Sequence, residues 1–279
     1  MLACHRSIIS LLALLLIPSA ALAGPVDTWC EQLGKRLNSV SVDSCRALNF
    51  VAARDLTPKG NLLVFRDIAP AGRDKRVAKA RRIMVVGGIH GDELTSISIV
   101  FRWLDWIREP DAAIHHWRMI PLANPDGLMA KPPTRVNANG VDLNRNFETP
   151  DWAKDAQTYW VNRAKRDPRR YPGEKAGSEI ETRWLQAQVE EFKPDLIISV
   201  HAPYNLLDYD GPVPKPLRFG RLTLVQLGVY PGSMGNYFGV FKQISLVTIE
   251  LPNATTMPSQ KDQLEMWQDM LKWIKSEKR

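Results

Sequence analysis

The run DLIISV, Asp195–Val200, holds no charge after its first residue, and His201 follows it at once. So short an unbroken apolar stretch reads as a strand buried on both faces. Strands of that kind belong to parallel sheets covered by helices on either side. RRIMVV (Arg81–Val86) repeats the pattern and runs into Gly87, Gly88 and His90. ISLVTIEL (Ile244–Leu251) is a third such run, with Glu250 at its end. NLLVF (Asn61–Phe65) and WRMIPLA (Trp117–Ala123), the latter closed by NPDG, complete the expected strands.

Helical spacing of apolar residues lies between these runs. In Asp92–Ile107 it is carried by Ile97, Val100, Phe101, Leu104 and Ile107. SEIETRWLQAQVEEF opens on Ser178 as N-cap with Glu181 three residues later, the pattern of a capping box. LEMWQDMLKWI, near the end of the chain, predicts an amphipathic helix with Leu264, Trp267, Leu271 and Ile274 on one stripe. Glu148–Gly177, rich in Pro, Lys, Arg, Trp and Tyr, predicts a long surface loop that includes a short helix. Strands alternating with helices predict an α/β fold: a mixed, largely parallel central sheet with helices on both faces. In such sheets sites form beyond the carboxyl ends of the strands.

The chain has 279 residues, and its start reads as an export signal. His5 and Arg6 precede an apolar run, Ile8–Ile17, too short to span a bilayer, and Ala21-Leu22-Ala23 is a small-x-small cleavage site. The expected organisation is a signal peptide over 1–23, an N-terminal extension over 24–60 and a catalytic domain over 61–279. Cleavage removes only Arg6 among charged residues, so 36 basic face 30 acidic residues, a net charge of +6. The basic residues concentrate in GRDKRVAKARR and NRAKRDPRR. These read first as solvated faces, and in a functional reading as attraction to an anionic partner. For an exported, periplasmic chain that partner is an anionic polymer such as cell wall rather than nucleic acid, and no later stretch would hold the mature chain in a membrane. Of the cysteines left, Cys30 and Cys45 form an isolated pair, most simply a disulfide closing a loop worth about 3 kcal/mol on chain-entropy grounds.

Four histidines remain after cleavage. His115 and His116 precede a strand and read as surface residues. His90 and His201 each follow a strand directly, where a site is expected, and Glu93 is one turn from His90. Two histidines and a carboxylate form a catalytic zinc set with one position left open. RVNANGVDLNRNF, Arg135–Phe147, brings Arg135 and Arg145 to either side of a glycine turn, with Asn137 and Asn144 between them. Arginine forks recognise carboxylates. Glu250 ends an apolar strand, where an acid is costly without a task or a partner.

Taken together, GGIHGDE, NPDG, RVNANGVDLNRNF, SEIET, SVHAP and TIELP resemble the zinc carboxypeptidase family, in the family's order, over roughly residues 80–275. Within it the chain is most similar to the murein peptide amidase branch. The resemblance implies one zinc per chain on His90, Glu93 and His201, and a polarised carbonyl and oxyanion on Arg135. It also implies a substrate carboxylate on Asn144 and Arg145, and Glu250 as general base and acid. It implies hydrolysis of the bond between γ-D-glutamyl and meso-diaminopimelate in murein peptides. Tyr230 and Tyr237 are the choices for the mobile tyrosine of many relatives; neither has the family spacing, and Tyr230 is the candidate. The alternatives are a general metallocarboxypeptidase, a deacylase resembling aspartoacylase or succinylglutamate desuccinylase, and a non-catalytic wall-binding module.

Overall fold

A computed structural model describes residues 24–71, 80–212 and 214–276. The expected signal peptide and most of GRDKRVAKARR lie outside them. In chain order the described elements begin with α1 (Pro25–Arg36), α2 (Val42–Ala47), β1 (Val51–Leu56), β2 (Leu62–Ile68), β3 (Arg82–Val86), α3 (Leu94–Trp106), α4 (Pro110–Ala113), β4 (His116–Ile120) and α5 (Pro125–Met129). They continue with α6 (Trp152–Asn162), α7 (Ile180–Phe192), β5 (Leu196–His201), β6 (Leu206–Asp210), β7 (Arg218–Phe219), β8 (Leu222–Thr223), a π-helix (Gly235–Phe241), β9 (Ser245–Glu250) and α8 (Gln260–Ser276).

Seven strands form one sheet in the order β1-β2-β4-β3-β5-β9-β6. The four central strands run parallel; β1 and β2 at one side and β6 at the other are antiparallel. Strand alternation divides the apolar residues between two layers. Ile83, Val85, Ile198, Val247 and Ile249 face α1, α3 and α8. Met84, Val86, Ile197 and Leu246 face α7 and the π-helix. The expected mixed α/β sheet with helices on both faces is what forms.

Residues 24–60 join this body. β1 pairs with β2, Cys30 and Cys45 are disulfide-bonded, and Trp29 stacks on Phe101 of α3 and edge-on against Phe50.

Several local expectations need correction. The segment expected to be loop with a short helix is helical for the 11 residues of α6, longer than expected. α7 starts at Ile180, after the expected cap. The Ser178 hydroxyl donates to Glu179 and accepts from Asn146 Nδ2, while Glu181 turns inward, fully buried, to accept from Asn137 Nδ2. Stronger partners in the tertiary structure have taken both members of the box. On α8 the buried stripe is Met266, Trp267, Met270, Leu271 and Ile274, so Leu264 lies outside it, 38 % exposed. His115, expected at the surface, is buried.

Candidate active site

Two turns build one end of the site. β3 leads through Gly87 and Gly88, the latter at φ +58, to His90. Gly91 packs against the middle of α5: a Cβ there would lie 2.2 Å from the Gly127 carbonyl carbon. That backbone-on-backbone contact admits only glycine and sets GGIHGDE against NPDG. Glu93 occupies the N-cap position of α3 but makes no side-chain cap bond. Its carboxylate points at the histidines instead. Glu93 Oε1 lies 2.8 Å from His90 Nδ1, and Oε2 lies 3.3 Å from His201 Nδ1 and accepts the Ala202 N–H. The two Nδ1 atoms are 3.2 Å apart. Donor atoms of His90, Glu93 and His201 all lie within 4.8 Å of one another, and all three residues are buried.

The far side of each imidazole fixes its tautomer. His90 Nε2 faces Asp142 Oδ1 at 3.1 Å. The ionised carboxylate only accepts, so Nε2 carries the proton and Nδ1 keeps its lone pair. Consistently, Arg135 Nη1 donates to that Nδ1 at 3.1 Å. At His201, Ser199 donates its hydroxyl to Met234 Sδ and accepts from His201 Nε2 at 2.9 Å. Both Nδ1 lone pairs therefore converge beside a carboxylate. This donor set fits zinc, with outer partners of the type that orient metal-bound histidines. Burial opposes ionisation of Glu93, but His90 and His201 hold its carboxyl well below the usual carboxylate range. Arg135 and His90 do the same for Asp142.

Sheet register supplies Glu250. β5 and β9 pair so that His201 and Glu250 are direct partners on neighbouring strands. Glu250 is 6 % exposed and accepts the Tyr204 N–H at 3.4 Å. Burial raises its pKa; His201 opposes the rise and the charge of Glu93 adds to it. A carboxylate poised this way suits proton transfer.

Arg135 is gripped by Asp142, with Nε and Nη2 both 3.0 Å from Oδ2. Arg145 is buried, its guanidinium 4.5 Å from the centre of the Tyr230 ring. Burial lowers its pKa, against the charge of Asp142. Its Nη1 donates to the Asn144 carbonyl, and its Nε has no partner among the described residues. Asn144 Oδ1 accepts the Met234 N–H. Tyr230 faces the cleft, while Tyr237 is packed in the core against Phe147. A cleft of about 640 Å³ takes in all eight residues singled out in the sequence: His90, Glu93, Arg135, Asn144, Arg145, His201, Tyr230 and Glu250.

Sequence reasoning missed Asp142, which joins His90 to Arg135. Its signal was an acid between Val141 and Leu143, both apolar, inside the arginine motif. Ser199, the one hydroxyl within β5, was also missed, as were Asp208 and Asp210 on β6, which line the same cleft.

Comparison with known proteins agrees with this geometry. The family model for zinc carboxypeptidases matches residues 57–211. Murein peptide amidase A of Escherichia coli is 30% identical over 204 residues, covering 68% of this chain and 79% of the relative. Its counterpart in Vibrio campbellii is 31% identical over 187 residues, covering 63% and 72%. Among solved structures, murein-tripeptide amidase from Escherichia coli superposes with a TM-score of 0.52 at 23% identity, over 80% of this chain and 91% of that one. Carboxypeptidase A from Helicoverpa armigera gives 0.61 at 17% identity, over 88% and 70%. At those identities the superpositions speak for the fold alone.

Proposed function

The chain belongs to the zinc carboxypeptidase family and is a metallopeptidase, and on that premise we propose that it is exported to the periplasm and hydrolyses the γ-D-glutamyl–meso-diaminopimelate bond of murein peptides. The observation that carries the reading is one cleft uniting three converging metal donors, a buried acid with a raised pKa and a buried arginine that has no carboxylate ion-pair partner among the described residues. Export is supported by the basic, apolar and small-x-small pattern of residues 1–23 and by the Cys30–Cys45 disulfide. The linkage is supported by the two murein peptide amidases.

His90, Glu93 and His201 would hold the zinc, which when bound supplies Lewis acidity toward water and the scissile carbonyl. Glu250 accepts the proton of the attacking water as its oxygen bonds to the carbonyl carbon. Arg135 donates to the oxygen on which negative charge then develops. As the C–N bond breaks, Glu250 returns the proton to the departing nitrogen, so the carboxylate is restored and one water is consumed. Arg145, with its free Nε, and Asn144 hold the carboxylate of the departing residue and fix the register of the peptide. Asp142 keeps Arg135 and His90 in place throughout.

The test is a comparison of kcat/KM for L-Ala-γ-D-Glu-meso-diaminopimelate and for its α-linked L-Glu analogue, with free diaminopimelate identified by mass spectrometry. We expect the γ-linked peptide to be preferred by at least about tenfold, the effect of one misplaced charge-assisted contact. Preference for the α-linked peptide would replace this reading with that of a general metallocarboxypeptidase.

A further inference from the structure

β6 is the antiparallel edge strand beside β9, and its register with β9 sets Leu206 opposite Glu250, Asp208 opposite Thr248 and Asp210 opposite Leu246. Residues two apart share a face. Asp208 and Asp210 therefore continue the face of Glu250 away from the metal donors, along the cleft that both line.

Asp208 is buried and Asp210 half-buried, and their surroundings set them apart from the buried acids elsewhere. Glu93 and Asp142 sit among histidines and Arg135. Glu179 and Glu181 accept from Asn137, and Asp126 accepts from Thr57, Lys59 and Asn61. Asp208 is 6 % exposed, and its Oδ1 accepts the N–H groups of Tyr209 and Leu227 at 2.9 and 3.1 Å. Its Oδ2 has no partner among the described residues. Asp210 fills a hollow made by two glycines of the π-helix: a Cβ on Gly235 would lie 2.1 Å from Asp210 Oδ2, and one on Gly239 would lie 2.4 Å from its Cβ. Among the described residues no Lys, Arg or His forms an ion pair with either carboxylate. Burial raises both pKa values, that of Asp210 to about 6 with a further contribution from Asp208. Two neighbouring carboxylates in a partly desolvated wall are costly without a cation, and the described residues place none on them.

The cleft is thus polarised, with the buried guanidinium of Arg145 in one part and an uncompensated acidic pair in another. We propose that Asp208 and Asp210 form a subsite for a protonated amine on the side chain of the residue released by hydrolysis. Its α-carboxylate goes to Arg145 and its side chain runs along the β6–β9 face. Asp208 lies opposite Thr248, two residues from Glu250, so the amine is met about 7 Å along the strand. That reach selects a long diamino acid over a short or purely acidic residue. Asp208 accepts from the ammonium through its free Oδ2, and Asp210 supplies the second negative charge.

This rests on reading the cleft as a peptidase site, so the decisive measurement is product binding, which does not depend on turnover. Calorimetry with the intact protein would compare meso-diaminopimelate with 2-aminopimelate, which lacks only the distal amine. We expect the diamino acid to bind at least about tenfold tighter, the scale of one hydrogen bond to a charged group. Asp208→Asn should abolish the preference and Asp210→Asn should reduce it. Equal affinities in the parent protein, or a preference that survives both substitutions, would overturn the subsite. If the diamino acid is preferred but the γ-linked peptide stays uncut, the subsite stands and the linkage reading falls. If the peptide is cut but the two amino acids bind alike, the subsite alone falls.

Discussion

His90 and His115 are buried to the same depth, each 2 % exposed, at opposite ends of two adjacent strands, and their chemistry differs entirely. His115 lies at the amino end of β4. Its Nδ1 accepts the Arg81 N–H at 3.2 Å, its Nε2 has no hydrogen-bond partner among the described residues, and its ring meets Trp117 edge-on. Burial, with help from the charge of Arg81, pushes its pKa down to about 4. His90, beyond the carboxyl end of β3, has Glu93, Asp142, Arg135 and His201 around it. Burial and Arg135 depress its pKa too, but the two carboxylates outweigh them and the net shift is upward. Depth of burial does not make a histidine a site; the partners at the carboxyl ends of the strands do.

The sharpest test of that contrast is removal of each ring. His201→Ala should lose most of the roughly one zinc per chain, measured by elemental analysis, and with it the activity. His115→Gln should keep the zinc, and equal losses in the two variants would erase the distinction. Glu250→Gln comes next: fold and zinc retained, and kcat/KM lower by at least about 100-fold, the scale of a lost general base. Near-normal turnover would move the proton transfer to another group. In the parent protein the acidic limb of the kcat/KM profile should have its midpoint above the ordinary carboxylate value, because the pKa of Glu250 is raised and only its ionised form accepts a proton. Asp142→Ala removes the acceptor that orients His90, and zinc affinity should fall by about 10–100-fold in a chelator competition.

The smallest effect concerns stability. His115 binds its proton more weakly in the folded state, so it makes stability rise with pH between about 4 and 6.5. Glu181 is the reverse case: burial raises its pKa to about 7, so it binds a proton more tightly when folded, and stability falls as pH rises from 4.5 to about 7. The two slopes oppose each other. Glu181→Gln should leave that of His115 uncovered, with a Tm at pH 8 higher by a few degrees and little change at pH 5. An unchanged Tm at pH 8 would mean that Asn137 and its neighbours already neutralise the cost.

What was legible in the sequence follows from the same contrast. Unbroken apolar runs declare buried parallel strands, and a His or an acid at the end of one or in the turn beyond it declares a site, so β3, β5 and β9 were legible together with His90, His201 and Glu250. β6 was not, because LLDYD carries two acids that strands normally avoid; they face the cleft rather than solvent. The length of α6 was hidden by a composition suited to a loop, since only Trp152 and Ala156 of it are buried. The role of Ser178 was hidden because Asn146 and Glu179, which take its hydroxyl, are brought to it only by the fold. Leu264 shows the limit of a periodic stripe: rotating the helical face slightly brings Met266 and Met270 inside and leaves Leu264 out.

The pairing of His201 with Glu250 across β5 and β9 has a practical consequence for recovering the protein from denaturant. A slip of one residue would turn Glu250 to the opposite face, among the apolar side chains beneath α3 and α8, and present Ile249 or Leu251 to the cleft. Such a chain would keep its strands and much of its far-ultraviolet spectrum. Catalytic yield after refolding therefore counts molecules whose central strands are aligned, whereas secondary structure counts every molecule that has formed a sheet. The gap between those two yields measures misalignment at this one seam.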